Sequence, residues 1–134
     1  MQNFDKPIWW TKRIEKLLRL SSQHENVLVY FKDAIIDKAM NLRSQSALSN
    51  ILYAMKANFN PEILKLIAKK EIGFECVSTG EISHLMATVP KLNKSKILFT
   101  PNFAPKSDYI FALDKGITVT VDNIYPLMKW PEIF

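Results

Sequence analysis

The sequence predicts an α/β protein of four consecutive βα units, preceded by an amphipathic helix and one further strand. An apolar run at residues 51–55 passes straight into Lys56 and then into helix-start chemistry at Asn60 and Pro61. Three more strand candidates, at 74–78, 96–100 and 117–122, each follow a helical segment and precede helix-start residues. The last polar residues of the four strands are Lys56, Ser78, Thr100 and Asp122, each 22 positions after the one before. A constant interval between strand ends marks repeated βα units joined by crossovers, hence a parallel sheet.

From the amino terminus, Ile8, Ile14, Leu17 and Leu18 fall at helical spacing within residues 7–20, with Lys12, Arg13, Lys16 and Arg19 between them. That pattern is an amphipathic helix. Trp9 and Trp10 at its head suit a membrane-surface or partner-binding helix. The few basic residues and the interspersed Glu15 favour a helix docked on its own domain. Residues 21–26 form a polar linker containing His24, which sets a division between 1–26 and 27–134. Val27 to Phe31, β-branched and aromatic, read as a short strand. A helix over 34–48 follows, with Ile35, Ile36, Ala39, Met40 and Leu42 as its apolar face.

The run 51–55 has the unbroken apolar character of a strand covered on both faces of a parallel sheet. Asn60 then reads as N-cap, Pro61 as the first helical residue and Glu62 as a negative charge in the first turn. Lys56 is thereby placed at the carboxyl end of a strand, the end at which α/β sheets and barrels build their sites. Alternation puts Leu52, Ala54 and Lys56 on one face, where the small Ala54 leaves room for a flat ring. The plain alternative is a lysine snorkelling from a strand end into solvent.

The later units repeat this phase. Ser78-Thr79-Gly80-Glu81 fits a capping box ahead of Ile82, Leu85 and Met86; Ser107 and Asp108 precede Tyr109, Phe111 and Leu113; Asp122 and Asn123 precede Tyr125, Leu127 and Met128. Gly73 and Gly116 are expected where helices end. Ser78 and Asp122 each have a purely structural reading as caps contributing about 1 kcal/mol, and Glu81 as the partner that completes its box. His84 reads as a surface or hydrogen-bonded histidine, and Cys76 as a small buried hydrophobe.

Composition narrows the function. With 48% apolar and 23% charged residues, the chain has a globular protein's balance, and its 134 residues suit about one domain. One cysteine excludes an internal disulfide and fits a reducing compartment. No apolar run approaches the roughly 20 residues of a bilayer span, and the start lacks a signal peptide's order of charge and apolarity. A cytoplasmic protein without a membrane partner is expected. Net charge is +5, yet the lysines are scattered (Lys65, Lys69, Lys70, Lys91, Lys94, Lys96) and no basic run interleaves with aromatics, so no nucleic-acid partner is expected. Two distant histidines and one cysteine define no metal site, and three isolated glycines build no phosphate loop.

The segments YAMKAN with NPEIL, GFECVSTGEI, KILFTPNFAPKSDY and GITVTVDN, in this order, resemble the amino-terminal half of the barrel domain of diaminopimelate decarboxylase, one of the fold-type III pyridoxal-phosphate decarboxylases. The resemblance runs from about Val27 onward. It implies that residues 27–134 are the first half of a (β/α)8 barrel of the TIM type with its leading strand and helix, the strand belonging to a β domain, in a chain that continues further. A full barrel takes about 250 residues. The wording ECVSTGE and FTPNFAP, the final Trp130-Pro131 and the tryptophan-bearing basic helix are similar to the bacterial form fused to aspartate kinase.

By the same resemblance, pyridoxal 5'-phosphate is the cofactor and Lys56 its Schiff-base lysine. A lysine amine attacks only when deprotonated, and desolvation favours the neutral form. Glu75 matches the acidic position near the cofactor, Glu81 the glutamate of the GEL-type motif, and Ser78 lies between them as a further cofactor contact. Strand alternation sets Glu75 and Ser78 on opposite faces unless a bulge intervenes. The implied reaction converts meso-diaminopimelate to L-lysine and CO₂, with a small amino-acid substrate and a homodimer of full-length chains. The alternatives are an amino-acid racemase, a non-catalytic pyridoxal-binding or regulatory homologue, and an α/β interaction segment whose strand edges pair with another chain.

Overall fold

A computed structural model describes Ile8 and residues 10–134. The tryptophan and leader readings at residues 1–7 and Trp9 lie outside the described residues. Thr11–Arg13 form a 3₁₀ turn leading into helix α1, Ile14–Ser21. Helix α2, Lys32–Arg43, begins two residues before the expected start and ends well before its expected close. Arg13 joins the two, its guanidinium 3.0 Å from Asp33 and stacked 4.5 Å above the Phe31 ring.

The βα series then unfolds as the interval predicts. Strand β1, Leu52–Ala54, is followed by helix α3, Pro61–Ala68; β2, Gly73–Cys76, by α4, Thr79–Thr88; β3, Ile97–Phe99, by α5, Lys106–Leu113; and β4, Thr118–Val119, by α6, Tyr125–Lys129. The four strands are all parallel and lie in sequence order, β1-β2-β3-β4. No helix among the described residues is long and apolar enough to cross a membrane.

Alternation sorts the sheet's two faces. Phe74, Cys76, Ile97 and Phe99 are buried in one core with Ile63, Leu64 and Ile67 of α3, Ile82 and Leu85 of α4, and Ala112 of α5. The opposite face carries the row Ala54, Glu75, Leu98 and Thr118, abreast in the strand register. That row is partly or fully open to solvent. Burying side chains such as Phe74 and Phe99 contributes about 1.5–3 kcal/mol each, which is why the helices lie on that side.

Several local expectations are corrected. Residues 27–31 form no strand, and Leu28 is 83% exposed. A strand exists only with a partner's backbone beside it, and no described segment pairs with this one. Gly73 ends no helix: it opens β2, where an added Cβ would stand 2.5 Å from Leu52 Cδ2 and 2.6 Å from the Lys96 carbonyl oxygen. The left-handed position after α3 falls to Glu71 instead, at φ 58°. Gly116, at φ 67°, does take the left-handed turn expected of it after α5.

Candidate active site

The carboxyl ends of the four strands form a rim, and the polar residues spaced along the sequence occupy it in four different ways. Lys56 is exposed and sits in a 3₁₀ turn, Met55–Ala57, directly after β1. Its place at the strand end is as expected, but the extended alternation stops at Ala54, so the shared face with Leu52 and Ala54 does not carry through to it. Met55 is the inward member of this turn, fully buried, with its sulfur 3.4 Å from that of Cys76.

The segment after Lys56 is held by a chain of side-chain hydrogen bonds. The Tyr53 hydroxyl donates to the Asn58 carbonyl at 3.0 Å, and the Asn58 side chain accepts from the Asn60 N–H at 2.9 Å. Asn60 caps α3 as predicted, accepting from the Glu62 N–H at 2.9 Å. From the next unit, His84 Nε2 lies 2.9 Å from the Phe59 carbonyl oxygen, so the ring nitrogen donates, and its ring meets Phe59 edge to face. His84 is thus the hydrogen-bonded histidine that its helical position suggested. Each contact fixes backbone within a few residues of Lys56, which is how a turn on a sheet edge keeps one shape.

Glu75 lies in β2, abreast of Ala54 on the open face, and accepts a hydrogen bond from the Thr100 hydroxyl. Thr100 follows β3, and its own N–H donates to the Cys76 carbonyl at 2.9 Å. Ser78 is two residues beyond β2 and serves as the N-cap of α4, accepting from the Glu81 N–H at 3.2 Å. Glu81 reaches past the cap and takes the Val77 N–H at 2.8 Å. The capping box therefore forms with its return bond displaced by one residue. Glu75 and Ser78 do not converge in one cluster: one side chain is engaged across the strands and the other along its own helix.

Asp122 is not a helix cap. Its carboxylate accepts the Phe103 N–H at 3.1 Å and so pins the loop after β3, where Phe103 is left-handed at φ 52° and 86% exposed. Asn123 fills the turn role before α6, accepting from the Tyr125 N–H at 2.8 Å. Cys76 is fully buried. Burial pushes its thiol up to about 12, with the Glu81 and Glu75 carboxylates adding to the effect, so it is inert as a nucleophile at neutral pH.

Sequence reasoning missed the Glu75–Thr100 pair and the polar clamp on residues 58–60. The 22-residue interval singles out Thr100; its hydrogen-bond partner needs the strand register. Asn58 and Asn60 were visible as turn-formers.

Comparison with known proteins adds to this geometry. Residues 32–133 match the pyridoxal binding domain of the pyridoxal-dependent decarboxylases. The chain is 31% identical over 109 residues to diaminopimelate decarboxylase of Thermoplasma acidophilum, covering 79% of this chain and 26% of that protein. It is 33% identical over 91 residues to a chloroplastic ornithine decarboxylase of Nicotiana glauca, covering 63% and 21%. The fold superposes on the crystal structure of Helicobacter pylori diaminopimelate decarboxylase complexed with L-lysine, with a TM-score of 0.71 at 28% identity, over 87% of this chain and 30% of that one. The chain thus spans about a quarter of the length of the curated relatives it matches.

Proposed function

The chain belongs to the pyridoxal-dependent decarboxylase family, through that family's pyridoxal-binding domain, and we propose that it is the cofactor-bearing part of an amino-acid decarboxylase acting on meso-diaminopimelate, with L-lysine and CO₂ as products. The observation that carries the reading is the position of Lys56, exposed in the turn that ends β1 and inside the matched domain. A primary amine is the group to which an aldehyde cofactor bonds.

The residues present fit that cofactor. Beside the Lys56 turn, the open sheet face offers Ala54, whose side chain is too small to obstruct a flat ring, and Glu75, whose carboxylate can accept from a protonated group. Pyridoxal phosphate, when bound, supplies the electron sink that lets CO₂ leave an amino acid's α-carbon. In this proposal the Lys56 amine would hold the cofactor covalently, in the turn after β1. Glu75 would orient the cofactor, and the Ser78 hydroxyl would donate a hydrogen bond to it while its oxygen still accepts from the Glu81 N–H as the helix cap. The fastened segment 58–60 keeps the Lys56 turn in one geometry, since catalytic groups must be held to about 0.5 Å.

A second substrate, ornithine, is supported by the identity to the Nicotiana glauca enzyme. The test is CO₂ release by the pyridoxal-loaded full-length protein offered meso-diaminopimelate, ornithine or arginine. The proposal predicts the highest kcat/KM on meso-diaminopimelate. A preference for ornithine would replace the substrate and keep the reaction class; no CO₂ from any of the three would contradict the decarboxylase reading.

A further inference from the structure

We propose that Thr100 is a positioning residue for the cofactor face, holding the Glu75 carboxylate abreast of Ala54 through its hydroxyl; the inference rests on the cofactor reading above. Glu75 is a long side chain on a partly open face, and a free carboxylate there has several rotamers and a strong pull toward solvent. Thr100 removes that freedom. Its backbone is pinned to β2 by the 2.9 Å bond to the Cys76 carbonyl, and its hydroxyl donates to Glu75 Oε1. A β-branched residue is stiff at χ1, so the donor is mounted rigidly on the strand next to the acid it holds. A hydroxyl donating to a carboxylate is among the stronger protein hydrogen bonds. The bond occupies one oxygen and leaves Oε2 able to face a protonated group on a bound ring. Neither residue dictates the other along the chain: 25 positions separate them, and only the β2–β3 register brings them together.

The test is a double-mutant cycle on the full chain, read as the Kd for pyridoxal phosphate from its visible absorbance, with borohydride fixation at Lys56 as the check on the site. Thr100→Val keeps the shape and removes the donor; it should weaken cofactor binding by about tenfold. Thr100→Ser restores the hydroxyl and should recover all but about twofold. In a Glu75→Ala background, Thr100→Val should cost nothing further, because its effect passes through the carboxylate. A merely structural threonine would give a different pattern: Ser as damaging as Val, or the same loss in both backgrounds. Either of those, or unchanged binding by Thr100→Val while Lys56 is still fixed by borohydride, overturns the inference and leaves the cofactor reading in place. If the unsubstituted protein binds no pyridoxal phosphate at all, both fall.

Discussion

The Tyr109 ring packs against those of Phe99, Trp130 and Phe134, with ring centroids 5.7 to 6.4 Å apart, and its hydroxyl is buried. The oxygen has no hydrogen-bond partner among the described residues. A buried hydroxyl without a partner loses its hydration for nothing in return. Tyr109→Phe should therefore stabilise the chain by about 1 kcal/mol in urea unfolding, and a loss of stability would mean that the hydroxyl is bonded. Cys76 makes the converse point about charge. Its thiol is raised from 9.0 to about 12 by burial, so the unfolded chain releases this proton at lower pH than the folded one. The stabilisation is complete below pH 9.0 and is lost as pH climbs toward about 12. In Cys76→Ala the fall of the urea midpoint across that window should be shallower than in the unsubstituted chain; an identical fall would contradict the assignment. Packing at Cys76 lowers stability in the variant at every pH, so the slope is the informative quantity.

Among the elements, what was legible in the sequence is what each segment settles with its own backbone. Asn60 caps α3 and Ser78 caps α4 because a cap needs only a neighbour two or three residues on. Apolar runs at a constant interval mark all four βα units, although Ser107 and Asp108 fall inside α5, which starts after Pro105 without a side-chain cap. Contacts set by a distant partner were not legible. Asp122 carries a cap's local signature, yet its carboxylate goes to Phe103, 19 residues back. Residues 27–31 have strand composition but no described partner strand. Gly73 looked like a helix terminator and is instead required by the approach of Leu52 and Lys96 across the sheet. Gly73→Ala forces its neighbours apart and should destabilise the chain by about 1–3 kcal/mol in urea unfolding; an unchanged midpoint would show that Leu52 and the Lys96 carbonyl yield at no cost. Of the candidate site, Lys56 is marked by its strand-end position and Glu75 and Ser78 by the family resemblance, while the pairing of Glu75 with Thr100 needs the strand register.

For the molecule as a whole, a four-stranded parallel sheet has two outer strands, β1 and β4. The side with the helices holds the core, and the other side presents the row of Ala54, Glu75, Leu98 and Thr118. In barrels of this class the strands' carboxyl ends carry the chemistry and the opposite ends carry stability, and Lys56, Ser78, the Phe103 loop and Asp122 all lie on the former. The proposed activity thus gathers on one rim of one sheet, with Lys56 in the turn directly after its first strand as the covalent anchor. The most direct test is borohydride reduction of the pyridoxal-loaded full-length protein, followed by peptide mass mapping. The account predicts the cofactor's mass on the peptide containing Lys56 and its disappearance in Lys56→Ala. Label on a different lysine, or none on a folded protein, would contradict it.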